Sequence, residues 1–250
     1  MTRPHRLLPA TALLLAACTA PALAAPPNPG ATAPYQAVLV AGDNSLPVFD
    51  NAVSDVDGML RRAGTATGVT RLSATPGAIA GGARPATLAA VLDTIAALRP
   101  APGQACLIYA TSHGVPGQGF YLAAQEEVLT PAQLDRALQA GCGAAPTVVV
   151  ISSCFSGLFA QGPMARPNRT ILTAARADRT SFGCGAGRTY TVYDRCLLDH
   201  LADGPWPIIH AALRRCVAAE ERVEGVDQPS LPQAWFGPRA AALPAPRPTP

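Results

Sequence analysis

The chain has 250 residues, of which 49% are hydrophobic and 14% are charged, and its formal net charge is +3. This apolar content with so little net charge excludes a chain that is disordered throughout, and the length is enough for one domain of moderate size or two small ones. All 19 basic residues are arginines, which excludes functions that need a lysine, such as a Schiff base or a Walker-type phosphate site.

The first 24 residues are typical of an export signal. Basic residues 2–6 precede an apolar stretch at 7–17, and Ala-Leu-Ala at 22–24 offers a small-x-small cleavage site. A Leu-Ala-Ala-Cys sequence ending at Cys18 also resembles a bacterial lipobox, which would put a lipid on that cysteine and tether the domain to a membrane surface. Both interpretations predict an exported protein, either periplasmic or attached to the cell envelope, and the choice between them stays open.

The charge and hydropathy of the remaining chain restrict its partners. Cleavage after residue 24 leaves 17 arginines against 16 acidic residues, so the mature net charge is about +1. We find no basic stripe of the kind that nucleic-acid-binding domains carry, and we expect no nucleic-acid partner. No later apolar run reaches the roughly 18 residues that suggest a membrane span, so membrane contact is expected only through a lipid on Cys18.

A Pro/Ala/Gly-rich linker at 25–34 is followed by a domain at 35–237 in which strand and helix patterns alternate. The predicted strands cover 36–41, 69–72, 106–111, 147–152, 170–174 and 233–237, with a hairpin arm at 119–123. The predicted helices cover 48–62, 85–98, 131–140, 191–202 and 208–223. Short apolar strands alternating with helices predict an α/β fold, a mostly parallel sheet with helices on both faces. The Pro/Ala-rich tail at 238–250 is expected to be disordered.

Polar residues follow three of the predicted strands. Gly-Asp-Asn at 42–44 ends the first strand, Ser-His-Gly at 112–114 ends the third, and Ser-Ser-Cys-Phe-Ser-Gly at 152–157 ends the fourth. Functional groups in open α/β sheets lie at the carboxyl ends of the strands. These three segments are therefore the candidate site.

Cys154 and His113 suit nucleophilic catalysis. The thiolate attacks a carbonyl, and an imidazole can remove the thiol proton and later protonate the leaving amine. Backbone N–H groups around Gly114 and Cys154 are candidate donors to the oxyanion. His200 and His210 lie in predicted helices with no turn chemistry around them, and we expect both to be structural. The chemistry needs no metal and no organic cofactor.

The other five cysteines of the mature chain are interpreted as structural. Export makes disulfides plausible, and the chain has no CxxC pair and no His/Cys grouping with zinc spacing. Cys106 could pair with Cys142, and Cys184 with Cys196, or these could be buried thiols. Cys216, within a predicted helix, is expected to be inert.

The motifs at the strand ends resemble those of the legumain family of cysteine peptidases, in its exported bacterial branch. That family carries His-Gly after one strand and Cys-x-Ser-Gly after the next core strand, which correspond to 113–114 and 154–157. Its Ala-Gly-Ser-Asn is similar to Ala-Gly-Asp-Asn here, so the resemblance implies that Asn44 orients the catalytic histidine. A Thr-Ala-Ala segment with pocket-lining serines aligns with 173–184 and implies that Thr180 and Ser181 line the substrate pocket.

The resemblance covers about residues 35–237 and implies a caspase-like fold, a peptide or protein substrate, a Cys154 nucleophile and a His113 base. The sequence departs from the family at the asparagine-selecting pocket, where Asp50-Asn51 aligns with an Arg-His pair. Ser112 and Phe155 also replace the Asp and Glu of plant and animal members. Asparaginyl specificity therefore does not follow. Either Asp50 lines the first subsite and favours a basic side chain, or it is a solvated residue at a helix start.

Two other functions fit the same motifs. A non-catalytic binding module could keep the fold with a blocked cleft, and a peptide ligase or acyl transferase could use the same acyl-enzyme. Faster alkylation of Cys154 than of other thiols would favour an enzyme, and joined peptides would identify a ligase. The sequence does not indicate the oligomeric state.

Overall fold

The protein is described by a computed structural model that covers residue 1 and residues 35–185, 187–202 and 204–246. The strands are β1 (Tyr35–Ala41), β2 (Ala66–Ser73), β3 (Arg84–Pro85), β4 (Ala105–Thr111), β5 (Gly114–Val115), β6 (Gly119–Leu122), β7 (Glu127–Leu129), β8 (Thr147–Ser152), β9 (Arg169–Thr173) and β10 (Gln233–Phe236). The α-helices are α1 (Val48–Arg62), α2 (Pro76–Ala80), α3 (Leu88–Ala96), α4 (Pro131–Gly141), α5 (Val192–His200) and α6 (Trp206–Val223), with short 3₁₀ helices at Ser156–Ala160 and Gly162–Met164.

Seven strands form the main sheet in the order β10-β9-β8-β4-β1-β2-β3. Every pairing in it is parallel except that of β10 with β9. Helices α1, α5 and α6 cover one face, and α3 and α4 cover the other, each over its own apolar cluster. The α/β fold with a mostly parallel, doubly covered sheet is therefore confirmed. In the described residues no helix has the length and apolar character to cross a membrane.

Local signals account for most helix boundaries. Helix α1 has the predicted bounds because its buried stripe includes Val53, Val56 and Leu60. Helix α4 begins with a capping box formed by Thr130 and Gln133. Helix α3 begins at Leu88, three residues later than predicted, because the Thr87 side chain caps the helix by accepting from Ala90 N; Pro85 belongs to β3 instead.

The described residues form two disulfides, one on each face of the sheet. Cys106 in β4 is bonded to Cys142 after α4, as one of the two alternatives predicted. Cys196 in α5 is bonded to Cys216 in α6, so the predicted pairing of Cys196 with Cys184 is wrong. The physical reason is that α5 and α6 pack against each other, which brings their cysteines together. Cys184 is a free thiol.

The expected disorder from residue 238 is wrong for residues 238–246. Ala240, Leu243 and Ala245 are buried in the cluster beneath α6. The hydroxyl of Tyr35 donates to Pro244 O at 2.6 Å and accepts from Trp206 Nε1 at 3.3 Å. This segment therefore seals the core at the start of β1. The predicted export signal, the lipobox and residues 247–250 lie outside the described residues.

His210 in α6 gives a pH-dependent stability. Burial, and secondly the charge of Arg214, lowers the pKa of His210 to about 4, and its ring packs edge-on against Phe236. Between about pH 4 and 6.5 an unfolded chain binds a proton at His210, whereas the folded protein does not. The contribution of His210 to the free energy of unfolding is therefore complete above about pH 6.5, and it falls on acidification by up to about 3 kcal/mol. His210→Phe should remove that part of the loss in urea titrations across this range. Parallel curves for the two proteins would contradict this assignment.

Candidate active site

The strand ends that precede His113 and Cys154 are neighbours in the sheet. Strands β4 and β8 pair in parallel, with Thr111 opposite Ser152 at their last paired position. Ser112 N then donates to Ser152 O at 3.1 Å. His113 and Cys154 each lie two residues beyond that last pair. The two residues therefore follow adjacent strands of the sheet.

Gly114 lies directly against the backbone of Cys154. A Cβ at Gly114 would be 1.9 Å from Cys154 O, closer than any side chain tolerates. The carbonyl of His113 accepts from Tyr121 N at 3.0 Å, and Gly114 is paired with Phe120 in the hairpin. In an antiparallel ladder the residue after a hydrogen-bonded position directs its N–H away from the partner strand. The Gly114 N–H therefore points away from β6 and makes no hydrogen bond to it.

The Ser-Gly of the Cys-x-Ser-Gly motif builds the turn that carries Cys154. The Ser156 hydroxyl donates to Ser153 O at 2.7 Å and accepts from Ala175 N at 3.1 Å. A Cβ at Gly157 would lie 2.6 Å from Ala177 N. These two residues thus join the turn to the segment after β9, and their role in the motif is structural.

The Cys154 sulfur is held by the backbone of a second segment. Ser181 N donates to Cys154 Sγ at 3.3 Å, and Sγ lies 3.6 Å from Ser181 O. The next residue, Phe155, has a left-handed backbone (φ 57°) and donates its N–H to Arg179 O at 2.8 Å. Residues 179–181 therefore run beside the half-buried Cys154. The predicted pocket residue Ser181 touches the Cys154 sulfur, and Thr180 beside it is exposed.

His113 is half-buried, and its ring packs edge-on against Phe49 with the ring centroids 5.4 Å apart. Sequence reasoning missed this contact, although Phe49 lies in the first turn of α1. Asn44, to which the resemblance assigns orientation of His113, is exposed and donates to Ala74 O at 3.2 Å. Among the described residues, the Asn44 side chain makes this one hydrogen bond. The orienting role of Asn44 stays a prediction.

Asp50 lies in the first turn of α1, next to Phe49. Its carboxylate accepts hydrogen bonds from Ser73 Oγ at 2.7 Å and from Thr75 Oγ1, both at the carboxyl end of β2. The helix cap itself is Pro47. The side chain is therefore fixed by two hydroxyls instead of being freely solvated. Its contact with substrate stays a prediction.

Cys184 is the other free thiol near the site. Burial, and secondly the charges of Cys154, Asp194 and Asp43, raises the pKa of Cys184 to about 12. A thiol with so high a pKa is protonated at neutral pH and is a poor nucleophile. This difference in environment favours Cys154 as the reactive cysteine. Within the described ranges, no group of three or more His, Cys, Asp or Glu side chains could hold a metal ion.

Comparisons with known proteins agree with this geometry. The model of the Peptidase C13 family matches residues 89–203, a segment that contains both His113 and Cys154. The solved structure entitled "structure of pro-sf-caspase-1" is similar with a TM-score of 0.58 and 11% sequence identity, over 84% of this chain and 94% of that chain; this likeness shows the fold. No curated protein matches the sequence. Residues 89–203 therefore match the Peptidase C13, or legumain, family of cysteine peptidases, and the chain has a caspase-like α/β fold.

Proposed function

We propose that this protein is an exported endopeptidase that hydrolyses peptide bonds through an acyl-enzyme formed on Cys154, with His113 as base and then acid. The observation that carries the proposal is the placement of the two residues at equivalent positions beyond the last pair of β4 and β8. The close approach of Gly114 to the Cys154 carbonyl supports it, because it brings the two motifs into direct contact.

The reaction has two halves. In the first, the thiol proton moves to His113, and the Cys154 sulfur attacks the peptide carbonyl carbon to form a tetrahedral oxyanion. The C–N bond then breaks as the imidazolium protonates the leaving amine, which leaves a thioester. In the second, His113 takes a proton from water, the hydroxide oxygen attacks the thioester, and the C–S bond breaks. The proton returns to the sulfur, and the free acid leaves.

Two backbone N–H groups support the assignment of an oxyanion hole in this proposal. The N–H of Phe155 is already taken by Arg179 O, whereas the ladder directs the N–H of Gly114 away from β6. Among the described residues no acceptor takes the N–H of Cys154. The proposal therefore assigns Gly114 and Cys154 as the donors, since fixed N–H groups stabilise the charge that develops in the transition state.

A peptide library tests the proposal. Wild type, Cys154→Ala and the matched control Cys184→Ala are incubated with the library, and every cut is mapped by mass spectrometry. We expect cutting by wild type and by Cys184→Ala and none by Cys154→Ala. Cutting by Cys154→Ala would contradict the assignment, absence of cutting by all three would favour a non-catalytic module, and joined peptides with an amine acceptor would identify a ligase.

We also propose that Asp50 lines the first subsite and favours a basic side chain there. Its carboxylate is held at the carboxyl end of β2 by Ser73 and Thr75, next to the Phe49 that touches His113. Substrates that differ only in Arg, Gln or Asn before the cut should show a preference for Arg of at least about tenfold in kcat/KM. Asp50→Asn should remove the preference, and equal rates for Arg and Asn with wild type would contradict the proposal.

The export signal is a prediction that secretion can test directly. Expression of the full chain in a bacterium, followed by fractionation and intact-mass measurement, should place the mature protein outside the cytoplasm. A mass that begins after residue 24 would indicate a freely released protein, and a lipid-modified Cys18 would indicate a membrane tether. A full-length product in the cytoplasm would contradict export.

A further inference from the structure

Asp194 in α5 is a wholly buried carboxylate that the reaction above does not use. Its Oδ1 accepts from the Tyr109 hydroxyl at 2.8 Å, and its Oδ2 accepts from Thr111 Oγ1 at 2.7 Å. One carboxylate thus gathers two hydroxyls from the same strand, β4.

This arrangement is not an efficient way to stabilise a core. Burying a carboxylate costs free energy that hydroxyl donors only partly offset, and apolar residues of similar volume usually serve stability as well or better. In the described residues no arginine forms an ion pair with Asp194. The position of the carboxylate in the third residue of α5, where a negative charge is favoured, offsets part of the cost. Stability alone therefore does not explain a buried carboxylate at this position.

The Thr111 hydroxyl that Asp194 holds lies at the end of β4, the strand that precedes His113. Thr111 and Ser152 face each other at the last paired position of β4 and β8. His113 follows Thr111 by two residues, and Cys154 follows Ser152 by two residues. A carboxylate bonded to Thr111 fixes the end of β4, and with it the position of His113 relative to the neighbouring strand β8.

We propose that Asp194 is a positioning residue that sets the geometry between His113 and Cys154 by holding the Thr111 end of β4 against α5. The proposal rests on the proposed function in taking His113 and Cys154 as the reacting pair. Asp194 itself touches no reacting atom; it acts through the end of β4. Loss of the carboxylate therefore changes the chemical step and leaves the binding of substrate nearly intact.

The test compares Asp194→Asn with variants of one partner, Thr111→Val and Thr111→Ser. Thr111→Val removes the donor with little change of shape, and Thr111→Ser keeps the donor. Glu221→Gln is the matched control, because Glu221 is also a buried carboxylate, in α6, that accepts from the backbone of Ser230. Each protein is measured for kcat, KM, urea unfolding and the pH dependence of Cys154 alkylation by iodoacetamide in a Cys184→Ala background.

We expect Asp194→Asn and Thr111→Val to lower kcat about 10- to 100-fold with KM within about threefold, as small displacements of reacting groups do. Their alkylation profiles should shift along the pH axis, whereas Thr111→Ser should restore both readouts. Glu221→Gln should lose stability and keep wild-type kcat per folded molecule. Wild-type kcat and an unshifted alkylation profile in Asp194→Asn would overturn the proposal, as would equal kcat losses in Asp194→Asn and Glu221→Gln.

The two proposals fail separately. If wild type cuts no peptide, the proposed function fails, and alkylation still measures the environment of Cys154. A shift of that profile in Asp194→Asn would then support the positioning role, and no shift would overturn it. If Asp194→Asn does not fold, Thr111→Val and Tyr109→Phe, which each remove one donor to the carboxylate, decide the same question.

Discussion

Replacing Gly114 by alanine is expected to abolish peptide cleavage. The new methyl group would sit 1.9 Å from Cys154 O and 2.7 Å from Cys154 C, and these are backbone atoms that no side-chain rotation can move. Either the hairpin β5–β6 or the turn at Cys154 must shift, which separates His113 from Cys154 and displaces an oxyanion donor. Loss of one such donor alone costs about 10²–10³-fold in kcat, so kcat/KM should fall by at least about 10³-fold.

Gly77→Ala is the control for this substitution. Gly77 lies in α2 without a left-handed backbone, and a Cβ there would meet nothing within 4 Å. Its replacement should leave activity at the wild-type level and stability unchanged or slightly higher. Cleavage by Gly114→Ala within tenfold of wild type would show that the contact with Cys154 is looser than the structure gives.

Replacing Asp135 by asparagine is expected to cause a large loss of stability. This buried carboxylate of α4 accepts from Arg166 Nε at 2.7 Å and from Arg169 Nη1 at 2.8 Å, and the Arg169 side chain is only 2% exposed. Removing the carboxylate charge leaves a buried guanidinium unpaired. Breaking a buried pair in this way costs about 3–5 kcal/mol, which urea unfolding at neutral pH would measure.

The Asp135 prediction has a control and a pH dependence. Asp178→Asn removes a surface pair with Arg176, in which both side chains are exposed, and should have no measurable effect. Burial alone would raise the pKa of Asp135, but the hydrogen bonds and charges of Arg166 and Arg169 outweigh it and lower that pKa below 3.8. The contribution of the Asp135 ion pair to stability is therefore complete above about pH 4. It is lost as the pH falls below the pKa that Asp135 has in the folded protein. Equal losses for Asp135→Asn and Asp178→Asn would contradict the buried pair.

Elements with a strong local pattern were predictable from the sequence. Strand β8 is a continuous β-branched run, and its bounds at 147–152 match. Helix α1 matches because its apolar stripe has the helical period. The short elements α2, β3, β5 and β7 were missed because two to five residues show no period. The packing of 238–246 was missed because it depends on Tyr35 and Trp206, which are distant in the sequence.

The candidate site was likewise predictable only in part. His113 and Cys154 were predictable because each follows an apolar strand directly, and parallel strands end at the same edge. The roles of Ser156 and Gly157 in the turn, the contact of Ser181 with the sulfur and the bonds of Asp194 were not, because each joins segments 19 or more residues apart. The disulfide between Cys196 and Cys216 was not predictable for the same reason. It depends on the packing of α5 against α6, which the spacing of the cysteines does not indicate.

The bonds between Tyr35, Pro244 and Trp206 also determine how the protein faces its surroundings. They lie where β1 begins, and the seven residues of β1 carry the chain roughly 20 Å to the opposite edge, where Cys154 and His113 lie. Any attachment that reaches the domain through the segment before Tyr35 therefore holds it by the edge remote from the candidate site. A protein fastened in this way would present Cys154 and His113 on the side away from the attachment.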